Sequence, residues 1–496
     1  MKNSFNWQRV ICMLGFLIIV EGFFMLAAAC VEFFYIENFK NGLFLLIEIN
    51  KGFSGLIIST AITFVVGAIF FFSGFKSPRS VGLKEGYLVV GSVWVLFSLF
   101  GMLPFLFSGY VSNITDAFFE SISGFTTTGS TAIDDVEVLP KCLLLWRSVT
   151  EWLGGMGIVV FSIAILPFLG VSPQLFSAEP TGPSYNKIAP RIKDTARRLW
   201  GMYFLLTAIL ATLLYFEGME LFDAVNHALT TMASGGYSTK NASIGHWNSP
   251  LIHYTITLFL IITGINFACM YFALFQQKFS KLFKDEEFRT FIVIIVVFTA
   301  LTAVINAFTI NPISNIYDFE KNFRESIFQV VSIVSTSGFT LSDHSIFTKF
   351  TLLLCIMLMV SGACSGSTTG GVKVIRVLIT FKNCFCELRR LLHPNAVLPL
   401  KINNKVVQNS VVQNVYAYLF LFVAVLSLGV FALLLDGMSL REAFTAALSS
   451  ICNNSIPIGE YAASTASKWV MSFLMLVGRL EFFTIVLLFS PELWKK

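Results

Sequence analysis

The chain has 496 residues, of which 55% are hydrophobic and only 13% are charged, and its formal net charge is +5. A soluble chain carries roughly 25% charged residues, so the composition excludes an ordinary water-soluble protein, and the small net charge does not indicate a nucleic-acid partner. The nine cysteines mostly lie in apolar segments, and the pair Cys384 and Cys386 has no matching second pair. A zinc site is therefore not expected, and the composition predicts a polytopic membrane protein.

Ten apolar segments, in chain order, are each long enough to cross a bilayer as a helix, which takes about 20 mostly apolar residues. They are 9–33, 53–75, 86–108, 146–168, 199–216, 251–275, 290–308, 350–379, 411–435 and 469–489. The first segment is longer than a signal-peptide core and is not followed by a small-residue cleavage signal, so we expect it to remain in the mature chain.

The basic residues are concentrated at the two ends of the chain and in alternate connections between these segments. The basic connections are 76–85, 171–198, 277–289 and 373–405. Lysine and arginine favour the cytoplasmic side of a membrane. The sequence therefore predicts that both termini and these four connections are cytoplasmic, which agrees with an even number of spans.

Each of four external connections contains a short apolar stretch followed by small hydroxylated residues and glycine. The stretch starts at an acidic residue, and in three of the four a glycine stands 13 positions later. The acidic residues and the residues at this offset are Asp116 and Gly129, Asp223 and Gly236, Glu325 and Gly338, and Glu442 and Ser455. Repetition at one fixed offset indicates an internal repeat rather than four ordinary external turns.

Each repeat is predicted to be a helix, a pore loop and a second helix. An acidic residue in the first turn of a short pore helix suits the helix dipole, and glycine lets the returning chain aim its carbonyl groups at a common axis. Four such loops form a ring of oxygen atoms that replaces the hydration shell of a cation. The predicted filter residues are Thr127, Thr128, Gly129, Ser234, Gly235, Gly236, Thr336, Ser337, Gly338, Asn454 and Ser455.

Further segments carry a family resemblance. They are 152–158 (WLGGMGI), 164–167, 182–183, 190–192, 264–266 (GIN), 365–368 (SGST), 370–371, 373–376 (KVIR), 393–397 and 478–481 (GRLE). On these residues and the pore loops the chain resembles the Trk/Ktr/HKT superfamily of bacterial and plant potassium transporters, most closely its TrkH/TrkG branch. The resemblance covers nearly the whole chain.

The resemblance implies an all-α polytopic membrane fold with four helix–pore-loop–helix repeats around one central pore, plus two N-terminal transmembrane helices. The implied division is 1–80 for these two helices and 81–170, 171–280, 281–400 and 401–496 for repeats 1 to 4. It further implies potassium as the substrate, a homodimer in the bacterial cytoplasmic (inner) membrane, and a cytoplasmic TrkA-like regulatory subunit. Nucleotide is expected on that subunit, and no cofactor is expected in this chain.

The second span of repeat 3 is predicted to be interrupted, because 362–371 consists of four glycines and otherwise small residues. Glycine costs up to about 1 kcal/mol per helical position. Small residues also allow close helix packing, but the resemblance implies a gating loop that contains Gly362, Gly366, Gly370 and Gly371. Arg479 lies mid-span, where a charge is expensive. It either forms a structural pair with Glu481 or a helix C-terminus or, as we expect, faces the cavity below the filter as an electrostatic barrier.

The fourth loop departs from the family pattern. TrkH-like chains usually read Asn-Leu-Gly-Pro-Gly-Leu-Gly there, whereas 454–459 reads NSIPIG. Counting from the pore helix places Ser455 at the filter glycine, and counting from the Asn453-Asn454 pair would place Ile456 there; we prefer Ser455. In HKT relatives a serine for one filter glycine accompanies sodium permeation, so a less selective sodium/potassium transporter is an alternative.

Two other classes of protein fit less well. A proton-coupled secondary carrier of an organic solute calls for inverted repeats, whereas all four repeats here run in the same direction. An intramembrane enzyme would need a catalytic constellation, and the sequence has none, so the chain is not expected to be an enzyme. His227 is interpreted as a packed helix residue, and Glu21 and Glu151 as satisfied structural acids.

Overall fold

The computed structural model describes residues 5–34, 51–77, 82–168, 192–309, 315–341, 349–396, 398–455, 463–480 and 482–491. These residues are mostly helical. The described strands form one short antiparallel hairpin, β1 (Lys401–Ile402) with β2 (Lys405–Val406). Ile456 and Glu481, which entered the alternatives above, lie outside the described residues, as does most of the basic connection 171–198.

The chain begins with two long helices, α1 (Trp7–Val31) and α2 (Lys51–Gly74), that pack against each other. Their backbones approach closely at a pair of glycines. A Cβ on Gly15 would lie 2.7 Å from the carbonyl oxygen of Gly67. Small residues allow such close packing between helices in a membrane, where no hydrophobic effect drives their association.

The rest of the chain forms four successive units with one pattern. The first contains α3 (Leu83–Gly101), α4 (Leu103–Phe107), α5 (Ile114–Phe125) and α6 (Lys141–Phe168). The second contains α7 (Ile192–Phe216), α8 (Leu221–Ala233), α9 (Pro250–Gly264), α10 (Phe267–Gln276) and α11 (Phe279–Lys284).

The third unit contains α12 (Glu286–Thr309), α13 (Ile316–Val334), α14 (Lys349–Ser361) and α15 (Val374–Leu392). The fourth contains α16 (Asn409–Leu435), α17 (Leu440–Cys452), α18 (Thr465–Leu480) and α19 (Phe482–Phe489). We call α5, α8, α13 and α17 the pore helices. The division of the chain at residues 80, 170, 280 and 400 stays a prediction.

Within the described residues, six helices are long and apolar enough to cross a membrane. They coincide with the predicted spans that start at residues 9, 53, 86, 199, 290 and 411. Large apolar side chains on these helices are exposed, for example Phe72 at 71% and Phe420 at 73%. Such surfaces suit contact with lipid, so the prediction of an all-α polytopic membrane fold is confirmed.

The predicted span 251–275 is not one continuous helix, because α9 and α10 are bent by 109° relative to each other. The bend follows from Asn266, whose side-chain oxygen accepts hydrogen bonds from the amides of Ala268 (2.9 Å) and Cys269 (3.2 Å) and so starts a new helix. An asparagine cap satisfies the free amides of a helix N-terminus. In repeat 3 the chain is likewise non-helical between Ser361 and Val374.

Three of the four pore helices, α5, α13 and α17, begin with a side-chain cap, from Asn113, Asn315 and Ser439. The side chains of Ser439 and Glu442 form a reciprocal capping box at α17. The expectation of an acid in the first turn is wrong for Glu325. The pore helix α13 has 19 residues and starts earlier, so Asp318 occupies its first turn and Glu325 lies in its middle.

Candidate functional site

The four pore helices end in the same backbone conformation, although their sequences differ. One residue at each end has a left-handed backbone: Thr127 (φ 54°), Ser234 (56°), Thr336 (57°) and Asn453 (51°). The amide of the next residue then donates a hydrogen bond to the carbonyl five positions earlier. These pairs are Thr128 to Ser123 (2.8 Å), Gly235 to Thr230 (3.0 Å), Ser337 to Ser332 (2.9 Å) and Asn454 to Ser449 (3.0 Å). The four loops are therefore structurally equivalent.

This equivalence gives the register of the fourth loop. In the first three loops the residue two positions after the left-handed one is a glycine with positive φ: Gly129 (76°), Gly236 (94°) and Gly338 (74°). Ser455 occupies that place in the fourth loop. Unlike these glycines, Ser455 does not have a positive φ. Its hydroxyl donates a hydrogen bond to the carbonyl of Ser337 at 3.1 Å.

Consecutive loops lie against one another in chain order. A Cβ on Gly129 would lie 1.9 Å from the carbonyl oxygen of Gly235, and one on Gly236 would lie 1.8 Å from that of Ser337. A Cβ on Gly338 would lie 2.0 Å from Oγ of Ser455. Loops this close leave no room for a side chain at these positions.

The fourth loop returns to the first and closes the ring. Nδ2 of Asn453 donates a hydrogen bond to Oγ1 of Thr128 at 3.1 Å, and both side chains are fully buried. The structure thus brings all eleven predicted filter residues into one ring and adds Asn453, which was not among them. The Asn453-Asn454 pair was a signal for it, but it was used only to align the loop.

The glycine-rich segment 362–371 lies against the C-terminal ends of three pore helices. Oγ1 of Thr368 is 3.0 Å from Oγ of Ser234, and the amide of Gly370 donates to Oγ1 of Thr336 at 2.8 Å. A Cβ on Gly370 would lie 2.2 Å from the carbonyl oxygen of Cys452. Three residues of the segment, Gly362, Gly366 and Gly371, have positive φ, so the segment has the irregular backbone that its glycine content predicted.

Arg479, on α18, joins this segment to the first repeat. Its guanidinium group donates to the carbonyl oxygens of Thr368 (2.9 Å) and Gly155 (2.8 Å), and also to that of Gly154. The segment and Arg479 together therefore contact all four repeats. Thr368 and the two glycines were not predicted as site residues, although both stretches belonged to the motifs of the resemblance.

The bend between α9 and α10 also supports the segment. Nδ2 of Asn266 donates to the carbonyl of Ser365 at 2.5 Å, and the amide of Phe267 donates to that of Gly366 at 3.1 Å. From α12, the buried Glu287 accepts hydrogen bonds from the amide (2.5 Å) and hydroxyl (3.0 Å) of Ser365. The segment is thus held at a defined position without being helical.

The three isolated titratable residues have different surroundings. Glu151 accepts hydrogen bonds from the amide of Tyr237 at 3.2 Å to each oxygen. The ring nitrogens of His227 lie 2.8 Å from the Asp223 carbonyl and 3.0 Å from Oγ of Ser238. The expectation of a satisfied acid is wrong for Glu21, since neither carboxylate oxygen has a hydrogen-bond partner within the described part of the chain.

The contacts between the loops bring together backbone carbonyls, the hydroxyls of Thr128 and Ser455 and the side-chain amide of Asn453. Carbonyl and hydroxyl oxygens are suited to replace the water around a cation. Among the described residues, no group of three or more His, Cys, Asp or Glu side chains is arranged to hold a metal ion.

Comparison with known proteins gives consistent matches along the chain. A family model described as TrkH, cation transport protein, matches residues 54–496. The chain is 38% identical over 448 residues to the Trk system potassium uptake protein TrkH of Escherichia coli (strain K12), covering 88% of this chain and 91% of that protein. It is 32% identical to the Trk system potassium uptake protein TrkG of the same organism, covering 99% of this chain and 100% of the relative.

A similar solved structure is the crystal structure of the potassium transporter TrkH from Vibrio parahaemolyticus. The likeness covers 99% of this chain and 100% of that chain, with a TM-score of 0.85 and 32% sequence identity. The similarity therefore extends over both the N-terminal helix pair and the four successive units.

Proposed function

Because this chain belongs to the TrkH family of cation transport proteins, whose members are transporters and not enzymes, we propose that it takes up potassium ions through the ring of four pore loops. The observation that carries this proposal is the closed ring itself, in which four equivalent backbone turns meet. Irregular backbone at membrane depth is tolerated where it lines a path or is buried in protein. The predicted filter residues are its potassium ligands in this proposal.

We propose further that the segment 362–371 and Arg479 form the gate. The contacts of Thr368 and Gly370 with Ser234 and Thr336 support an obstructed pathway, because the segment occupies hydroxyl groups at the end of the ring. The positive charge of Arg479 adds an electrostatic barrier to cations. Opening then requires the segment to leave these hydroxyls and the hydrogen bond between Arg479 and Thr368 to break.

The location and the partners belong to the same proposal. The chain lies in the bacterial cytoplasmic membrane as a homodimer, with both termini in the cytoplasm, and a TrkA-like subunit that binds nucleotide controls its gate. The concentration of basic residues in alternate connections supports this orientation. The family resemblance supports the dimer and the subunit, and α15 exposes Phe381 and Phe385 next to basic residues that a partner could cover.

Expression of this chain is expected to restore growth of a bacterium that lacks its own potassium uptake systems, in medium of low potassium concentration. The regulatory subunit is supplied together with the chain, and insertion into the membrane is checked by immunoblotting. A strain with the empty vector is the control. Absence of growth, with protein inserted and subunit present, would contradict potassium uptake.

A proton-coupled carrier is distinguished by flux into proteoliposomes. We expect rubidium influx that follows the rubidium gradient and the membrane potential and does not change when a proton gradient is imposed at constant potential. Influx that requires the proton gradient would favour the carrier instead.

Ser455→Gly is expected to raise the permeability ratio of potassium to sodium by up to about tenfold. The Ser455 hydroxyl donates a hydrogen bond to the carbonyl oxygen of Ser337 and therefore competes with a cation for that oxygen. A neutral hydrogen bond contributes about 0.5–1.5 kcal/mol, and ~1.4 kcal/mol corresponds to a factor of ten. Reversal potentials under bi-ionic conditions measure the ratio. An unchanged ratio, together with a changed ratio in Ile456→Gly, would show that the fourth loop is aligned one residue too early.

A further inference from the structure

A buried cluster of charged and aromatic side chains lies behind the first two pore loops. Its centre is an ion pair between Glu120 of the pore helix α5 and Arg147 of α6, with Nε of Arg147 2.6 Å from Oε1 of Glu120. The Arg147 side chain is 3% exposed and the Glu120 side chain 0%. Removing one partner of such a pair leaves a buried charge without compensation, which is strongly destabilising. The pair therefore holds α5 and α6 together at this position.

Glu120 uses its second oxygen to hold the strand that leaves the first pore loop. Oε2 accepts hydrogen bonds from Oγ1 of Thr131 and from the amide of Ala132, each at 3.0 Å. These residues directly follow Gly129 and Ser130. The exit of the first loop is therefore fixed to its own pore helix.

Arg147 holds the corresponding strand of the second loop. Its Nη1 donates to the carbonyl oxygen of Ser238 at 3.2 Å, two residues after Gly236. Because Nε and Nη1 belong to one planar guanidinium group, the carboxylate of Glu120 and the carbonyl of Ser238 are kept at a fixed separation. A single side chain thereby couples the positions of two filter strands.

Tyr237 completes the connection between the two loops. Its hydroxyl donates to the carbonyl of Glu120 at 2.7 Å, and the guanidinium of Arg147 lies 4.1 Å from the centre of its ring. Its amide donates to Glu151, whose carboxyl carbon would lie 2.3 Å from a Cβ on Gly235. The backbone that follows Gly236 is therefore held by this cluster, and Gly235 packs directly against it.

The residues equivalent to Glu120 on the other pore helices make fewer contacts with the strands that leave their loops. The residue nine positions before Gly129, Gly236, Gly338 and Ser455 is Glu120, His227, Gln329 and Ala446, respectively. His227 also reaches its exit strand, at Oγ of Ser238, whereas Nε2 of Gln329 instead faces Sγ of Cys355 at 3.9 Å. Alanine has no polar group to offer. At this position the exit strand is held by the pore helix in repeats 1 and 2, whereas in repeat 3 the hydroxyl of Ser332, nearer the end of the pore helix, donates to the carbonyl of Phe339 at 2.7 Å.

We propose that Arg147, acting with Glu120, is a positioning residue that determines the cation selectivity of the filter. The inference rests on the proposed function, because it assigns to this pair the alignment of loops 1 and 2 in the proposed potassium pathway. Selectivity depends on the number and field of the oxygen atoms that replace the hydration shell. A pair that sets the spacing of two of the four strands therefore affects the choice between potassium and sodium.

The test is the potassium-to-sodium permeability ratio of the full chain in proteoliposomes, for Arg147→Lys, Glu120→Gln and the double variant Glu120→Gln/Arg147→Met. Lysine keeps the charge but cannot donate to Glu120 and Ser238 from a fixed fork. We expect each variant to transport rubidium. We expect its potassium-to-sodium permeability ratio to be lowered at least about tenfold. The double variant removes both charges of the Glu120–Arg147 pair, so it tests the inference even if a single variant fails to fold.

Arg324→Lys is the matched control. Arg324 lies on the pore helix α13 and forms an ion pair with Glu320 at 3.0 Å, but its other described contact is His253, outside the pore loops. We expect its ratio to equal that of the wild type. Loss of inserted protein with an unchanged ratio in the Glu120 and Arg147 variants would overturn the inference, since it would show a structural role alone. Absence of rubidium transport by the wild-type chain would instead overturn the proposed function and the inference with it.

Discussion

Gly236→Ala is expected to abolish potassium uptake. Gly236 has a φ of 94°, and a Cβ there would lie 1.8 Å from the carbonyl oxygen of Ser337 and 3.0 Å from Oγ of Ser455. A methyl group cannot be accommodated unless the third loop moves, because the atom it meets belongs to the backbone. We expect rubidium uptake, normalised to inserted protein, to fall close to the background of empty membranes.

Gly437→Ala separates this clash from simple backbone strain. Gly437 follows α16 with a φ of 93°, and nothing lies within 4 Å of a Cβ built on it. Both variants carry the strain of an alanine with positive φ, of order 1–3 kcal/mol. Only Gly236→Ala also places a methyl group against the backbone of the ring. Near-normal uptake is expected for Gly437→Ala. Normal uptake and selectivity in Gly236→Ala would contradict the ring as the ion pathway.

Arg479→Ala is expected to raise cation flux in the absence of a regulatory subunit, by about tenfold or more. The substitution removes the hydrogen bonds of the guanidinium group to Thr368, Gly154 and Gly155 and a positive charge from the proposed path. Hydrogen bonds from a charged donor contribute about 1.5–3 kcal/mol each, and ~1.4 kcal/mol suffices for a factor of ten.

The measurement is rubidium influx into proteoliposomes at matched protein content. Arg441→Met, a charge removal at an exposed position of the pore helix α17, serves as the control and is expected to leave the flux unchanged. If Arg479→Ala inserts normally and its flux is equal to or below that of the wild type, the gate is assigned to the wrong residue.

The repeats, the pore loops and the break in the third repeat could be predicted from the sequence because each depends on local chemistry. A stretch of glycine and hydroxylated residues cannot form a stable helix, and its recurrence at one offset identifies equivalent positions. That offset identified Gly338 as structurally equivalent to Gly129 and Gly236, even though Glu325 lies in the middle of α13 and not in its first turn. The four pore helices share the backbone conformation of their C-terminal ends, whereas α13 starts earlier than the other three.

The tertiary structure alone decided which distant groups meet. Asn453 closes the ring with Thr128 over 325 positions, and Arg479 reaches Thr368 over 111. Apolar patterning identifies a helix and its length, but it carries no information on which helix faces which, so the partner of a mid-span arginine could not be read from it. The same holds for the bend at Asn266, because the segments before and after it, α9 and α10, are both apolar. It is stabilised by a hydrogen bond from Asn266 to Ser365, which are 99 positions apart in the sequence. Such a bond exists only once the second and third units have packed together.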